Sequence, residues 1–145
     1  MKMNTPVTQV EQTMQEGQIL VSVTDTKGSI TFCNEDFIRI SGFKKNELLG
    51  KNHNIVRHPD MPPEAFADLW ATNKAGRPWT GIVKNRCKNG DYYWVQANIT
   101  PITENGQVSG YMSVRTKPST AQIQQAERLY QDIRSGRANL QPGGL

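Results

Sequence analysis

In this 145-residue sequence, the helix-forming segments of the central part all fall between a β-hairpin and a run of three further strands, an order that few folds can satisfy. The hairpin comes first. Ile19–Asp25 is rich in β-branched residues, Thr26-Lys27-Gly28-Ser29 supplies turn chemistry, and Ser29–Asn34 reads as the returning strand. The last three strands are Trp79–Cys87, Tyr92–Pro101 and Val108–Thr116. They are separated by Lys88-Asn89-Gly90-Asp91 and Glu104-Asn105-Gly106, both of them tight-turn strings. Consecutive strands joined by turns this short can only pair antiparallel.

Between these sets, Asn34 is a natural N-cap for a helix over Glu35–Ser41 with a stop at Gly42, and Lys45–Leu49 gives a second short helical turn ending at Gly50. Lys51–Pro63 reads as a loop. A longer helix opens at Pro63 and ends before Gly76, with Phe66, Leu69, Trp70 and Asn73 on one face. The order β-β-α-α-α-β-β-β predicts an α+β fold, a five-stranded antiparallel sheet with the helices packed over one face. A pocket can open between that face and the helices.

The flanks differ from this core. Residues 1–17 are polar with Val7, Val10 and Met14 at helical spacing, and read as an N-terminal cap, either an amphipathic helix or an arm. Residues 18–117 form the central domain. From 118 to 137, Ser119-Thr120-Ala121-Gln122 is a capping-box pattern. Ile123, Ala126, Tyr130 and Ile133 then make the stripe of an amphipathic helix that Gly136 ends. Residues 138–145, with Pro-Gly-Gly, read as a disordered tail.

The net charge of +4 comes from scattered residues, apart from Lys84, Arg86 and Lys88. On a strand these three share one face, expected to be solvated. A nucleic-acid surface needs a denser basic patch with aromatics interleaved, so nucleic acid is not an expected partner. Cys33 and Cys87 form no CxxC and fit a reducing cytoplasm. No apolar run reaches the roughly 20 residues of a membrane span, and the N-terminus lacks a signal-peptide core. Any membrane tether is expected outside this chain. No G-x-S-x-G, P-loop, G-x-G-x-x-G or Cys-His couple is present, so the reading is of a non-enzyme, with no catalytic residue nominated.

Several strings follow one another in the order of a PAS domain. These are Thr24-Asp25 with Gly28-Ser29-Ile30, Asn34, Ser41-Gly42-Phe43, Glu47-Leu48-Leu49-Gly50, Lys88-Asn89-Gly90-Asp91-Tyr92-Tyr93-Trp94 and Gly110-Tyr111. A sharper match lies in His53–Pro62, Ala65–Asp68, Pro78–Arg86 and Gly110–Thr116. Together they resemble the FAD-binding PAS domain of bacterial aerotaxis receptors over roughly Gly17 to Thr116. The resemblance implies non-covalent FAD, redox sensing in aerotaxis, and signalling to a transducer module or another PAS copy, with a homodimer open.

A flavin needs a slot for a flat ring, amide-like partners for its polar edge and, for FAD, positive charge near the pyrophosphate. Trp79 suits the slot, beside the helix carrying Phe66 and Trp70. Asn85, six residues on, shares its face and suits the ring's carbonyl and N5 edge. Arg57 can fork onto a phosphate, and Asp60 can accept from a ribose hydroxyl or hold Arg57. His53, His58 and Asn34 complete the nominated set. The same histidines leave a haem-binding PAS sensor open, and an empty or filled pocket would leave a PAS interaction module. Their H-x4-H spacing fits no standard metal motif.

Overall fold

A computed structural model of the chain describes residues 6–138. The elements run β1 (Leu20–Asp25), β2 (Ile30–Cys33), α1 (Glu35–Ser41), α2 (Lys45–Leu48), a 3-10 turn (His53–Val56), α3 (Pro63–Lys74), β3 (Trp79–Arg86), β4 (Tyr92–Glu104), β5 (Gln107–Thr116) and α4 (Thr120–Arg134). The five strands form one antiparallel sheet in the order β2-β1-β5-β4-β3. The first and last strands of the central domain therefore lie side by side at its centre.

Local chemistry explains the boundaries. Asn34 caps α1 by accepting from the Phe37 N–H, and the same amide accepts from Val21 N–H and donates to the Ile19 carbonyl. One side chain thus fixes the helix start and the opening of β1. At the β4–β5 turn, Asn105 and Gly106 both hold positive φ, 52° and 78°. That is the backbone a two-residue hairpin needs, and the reason Asn-Gly works there. Ser119 and Gln122 form the expected capping box at the start of α4.

Cross-strand register sorts the sheet residues into two faces. Trp79, Gly81, Val83 and Asn85 pair with Ile99, Ala97, Val95 and Tyr93, and Arg115 pairs with Ala97 and Leu20. This inner face lies against α1 and α3, with Phe37, Leu69, Leu20, Val95 and Tyr93 in one buried cluster. Ile82, Lys84, Tyr92, Trp94 and Gln96 point the other way. The sheet is thus covered on both sides at its β3–β4 end, because α4 packs across that outer face through Ala126, Tyr130 and Ile133.

One open alternative is decided and one expectation needs correction. Among residues 6–17 there is no helix: the segment is an extended arm, bridged at Glu11 to Tyr92 and hydrogen-bonded to Gly90 and Tyr92. Val7 and Val10 are exposed and only Met14 reaches the core. Backbone pairing with the start of β4, secured by Thr8 and Gln12 on the Asp91 carboxylate at 2.6 and 2.8 Å, outweighs the helical spacing. Second, Lys84 and Arg86 are buried, not solvated. Lys84 lies over the Tyr92 ring and pairs with Asp60, while Arg86 donates to the Pro6 carbonyl of the arm. Arm and α4 cover the face that strand periodicity alone would leave in water. The tail beyond 138 lies outside the described residues.

Candidate cofactor site

The inner face carries a buried cation without a carboxylate. Arg115 is 8% exposed; its Nη2 donates to Ser22 Oγ at 3.0 Å, and its guanidinium lies 4.8 Å from the centre of the Phe37 ring. Among the described residues Nη1 has no hydrogen-bond partner, and neither has Ser113 Oγ, two residues back on the same face of β5. Burial pulls the guanidinium pKa down to about 10. A buried polar group without a partner costs about 1–3 kcal/mol, so native proteins rarely leave one except where function uses it. Both side chains line a cavity of about 40 Å³ with Ser22, Thr24, Leu69 and Ile99.

His53, Trp70 and Tyr111 close this cavity toward the surface. The Trp70 ring meets His53 edge-on at 5.6 Å and Tyr111 at 5.2 Å. Burial, then the charges of Arg57 and Arg115, hold His53 at a pKa of about 4, so its imidazole is neutral. Beyond it opens a surface cleft of about 370 Å³ that shares His53 and Trp70 and is lined by Lys27, Arg57 and Lys74. Arg57 stacks on the Phe66 ring at 3.8 Å. Three cations around one cleft favour an anion there, and the contact of Arg57 with the Phe66 ring holds its guanidinium at the mouth.

Trp79 and Asn85 share the inner face, both buried. The Trp79 indole folds back over Gly81 and donates from Nε1 to Asp68 Oδ2 on α3 at 2.9 Å. Asn85 stands opposite Tyr93, and its backbone bridges antiparallel to Arg57. The segment after the 3-10 turn is thereby seated on the free edge of β3 at Arg57 and then turns, the Met61 N–H donating to the His58 carbonyl at 3.1 Å. Arg57 faces inward. His58 and Asp60 face the other way: His58 packs edge-on to Tyr92 at 6.2 Å, and Asp60 pairs with Lys84 at 2.9 Å. Burial, then the Lys84 charge, depresses His58 to about 4. Burial works to raise Asp60, but the hydrogen bond and charge of Lys84 outweigh it and hold the carboxyl low.

Of the nominated residues, the structure brings His53, Arg57, Phe66, Trp79 and Asn85 around the inner face and its mouth. It places His58 and Asp60 behind the sheet edge, and Asn34 at the β1–α1 junction. Arg115, Ser113, Lys27 and Lys74 were missed. Tyr111, Ser113 and Arg115 do alternate on β5, which could have flagged them, but an arginine near a strand end reads as a surface cation. Both cysteines are buried; burial pushes the Cys87 thiol up to about 11.

An antiparallel five-stranded sheet in the order β2-β1-β5-β4-β3, with the helices between β2 and β3 over its inner face, is the architecture of a PAS-type sensory domain. The sequence pattern of the PAS fold matches residues 30–115, and the chain belongs to that family. It is 49% identical over 133 residues to the aerotaxis receptor of Escherichia coli strain K12, covering 92% of this chain and 26% of that protein. It is 27% identical over 103 residues to the nitrogen fixation regulatory protein of Klebsiella pneumoniae, covering 70% of this chain and 21% of that one. The chain thus spans about a quarter or less of the signalling proteins it resembles. Among solved structures, a light-oxygen-voltage domain studied with a flavin analogue superposes with a TM-score of 0.67 at 22% identity, over 82% of this chain and 89% of that one. No helix among the described residues is long and apolar enough to cross a membrane.

Proposed function

We propose that this domain holds FAD non-covalently between α3 and the inner sheet face and reports its redox state to a signalling partner, without turnover chemistry of its own. The observation that carries the reading is the pair of partnerless buried donors, Arg115 Nη1 and Ser113 Oγ, set behind a cleft lined by Lys27, Arg57 and Lys74. An electron-rich heteroaromatic edge satisfies the first and a diphosphate the second. The 49% identity to an aerotaxis receptor supports a role in taxis. No feature of the site favours haem over flavin.

In this reading Arg115, Ser113 and Asn85 hold the polar edge of the ring. Trp79 and Trp70 wall its faces, and Arg57, Lys27 and Lys74 neutralise the diphosphate. His58, neutral and buried, and Asp60 hold the Arg57 segment in place. A cavity of about 40 Å³ admits little more than a water molecule, so a three-ring system enters only as Trp70 and Leu69 withdraw from it. The bound flavin supplies reversible electron transfer. The chain's part is to sense the change: the Asn85 amide can present its carbonyl or its NH₂, and the Arg115 guanidinium stabilises negative charge in a dry interior. One gained or lost buried hydrogen bond is about 1–3 kcal/mol, the usual size of an allosteric coupling. The output partner is a downstream transducer module or a second copy of the domain, in the cytoplasm.

Titration of the flavin-free chain with FAD, followed by quenching of tryptophan fluorescence, tests this. Arg115→Met should weaken FAD binding at least tenfold, and Arg57→Ala should weaken FAD more than riboflavin. Equal affinity for FAD in Arg115→Met and the parent chain would overturn the assignment.

A further inference from the structure

Residues 57–61 touch both sides of the sheet. The backbone bridge from Arg57 to Asn85 seats the segment on the edge of β3, and the Lys84 N–H meets Met61 Sδ at 3.4 Å. Arg57 reaches inward to Phe66, whereas Asp60 reaches outward to Lys84. On that outer side the segment meets α4. Arg134 donates from Nη1 to the Asp60 carbonyl, and Tyr130 donates from its hydroxyl to the carbonyl of Ile82, on β3 beside it. Farther up the helix, Gln122 bonds Gln96 at 3.3 Å. Two of these three polar ties therefore gather at the C-terminal half of α4, where the edge segment lies.

The packing there leaves room to move. A cleft of about 210 Å³ separates α4 from the sheet, lined by Asp60, Lys84, Trp94, Glu127, Tyr130 and Arg134. Only Ala126, Tyr130 and Ile133 of the helix are buried. The apolar contacts of α4, the buried Ala126, Tyr130 and Ile133 with the half-buried Ile123 and Leu129, stop short of Arg134, so beside this polar gap a few hydrogen bonds decide the position of the helix end.

We propose that residues 57–61 form a two-sided lever: what Arg57 meets on the inner face sets, through Asp60 and Arg134, how firmly the C-terminal half of α4 is docked. The proposal deepens the sensor reading by naming its exit route, and rests on that reading only for what moves Arg57. The fold supplies the route on its own. Because the Arg57 backbone is bridged to Asn85 and the Met61 N–H closes a turn on the His58 carbonyl at 3.1 Å, a shift of this short backbone unit moves Arg57 and the Asp60 carbonyl together. The chain leaves α4 just past Arg134, so a helix loosened at this end passes the change to whatever follows.

A double-mutant cycle on the flavin-free chain tests the lever, read by hydrogen exchange of the amides of residues 126–134. Arg57→Ala should speed their exchange about fivefold, Arg134→Ala should do the same, and the double variant should show no more than either alone. Should Arg57→Ala fail to fold, Phe66→Leu perturbs the same inner contact. Independent effects that multiply in the double variant would overturn the lever. In a second arm, FAD should change the exchange of these amides in the parent chain and not in Arg134→Ala, which should bind FAD within twofold of the parent. Absence of FAD binding in both would refute the site while the cycle still decides the lever; an unaltered response in Arg134→Ala would refute the lever while the site stands.

Discussion

The most exacting prediction concerns Gly81. Its Cα lies under the Trp79 indole, and a Cβ built there would stand 2.4 Å from the ring carbon Cη2 and 2.7 Å from Cζ2. Carbon atoms in contact sit near 3.5–4.0 Å, so the overlap exceeds an ångström and the ring must leave. The backbone of β3 is ordinary extended strand at this point, so alanine meets no conformational penalty and gains about 0.5–1 kcal/mol from the unfolded side. Against that stand about 1–3 kcal/mol of overpacking and about 1–3 kcal/mol for the broken buried hydrogen bond from Trp79 to Asp68. The net loss for Gly81→Ala is about 1–5 kcal/mol. At about 3 °C per kcal/mol for a chain this size, the midpoint should fall by roughly 3–15 °C. Thermal unfolding followed by far-ultraviolet circular dichroism and by tryptophan fluorescence measures it. In a Trp79→Leu background the same change should be neutral to slightly stabilising, because the clash and the hydrogen bond are already gone. An equal loss in both backgrounds, or no loss in either, would refute the reasoning.

Further outcomes follow from the charges. Arg115 is a buried cation without a carboxylate, so Arg115→Met should leave the flavin-free chain as stable as the parent or raise its midpoint, while costing ligand affinity. A fall of more than about 5 °C would mean that the guanidinium serves the fold. For pH, His53 and His58 both sit at about 4 in the folded chain against an ordinary value near 6.5. A depressed folded value means that stability is full above pH 6.5 and is lost as pH falls toward 4, while the unfolded chain takes up protons that the folded chain refuses. Urea unfolding should therefore show a loss of about 1–2 kcal/mol per histidine between pH 7 and pH 5, part of it in each ring. His53→Gln should flatten the slope by about half, and an unchanged slope would contradict the buried, neutral assignment.

How much of this was legible in the sequence depends on what each residue's neighbours were. Strand parity placed Trp79 and Asn85 on one face because six residues of regular strand leave no ambiguity, and Asn34, Ser119 and the Asn105-Gly106 pair signal their caps and turn through local chemistry alone. The β5-beside-β1 pairing joins strands from opposite ends of the central domain and is visible only in the assembled sheet. Lys84 and Arg86 were misjudged because their burial depends on α4 and the N-terminal arm, which come from distant parts of the chain. Val7 and Val10 kept helical spacing, yet the arm gains its hydrogen bonds from Gly90 and Tyr92, partners invisible to local periodicity. His58 and Asp60 were grouped with Arg57 as neighbours in sequence. The turn from His58 to Met61, just past the bridge of Arg57 to Asn85, sends them to the opposite side. Arg115 escaped notice for a related reason: an arginine carries no mark of burial until the sheet that encloses it is assembled.

The central claim is that the interior holds FAD. The visible absorption spectrum of the purified chain, followed by heat release and chromatography of the chromophore, tests it most directly. The account predicts the paired bands of an oxidised flavin, bleached on reduction, and a released species that migrates as FAD. A Soret band, or a chain that stays colourless after incubation with FAD, would contradict it.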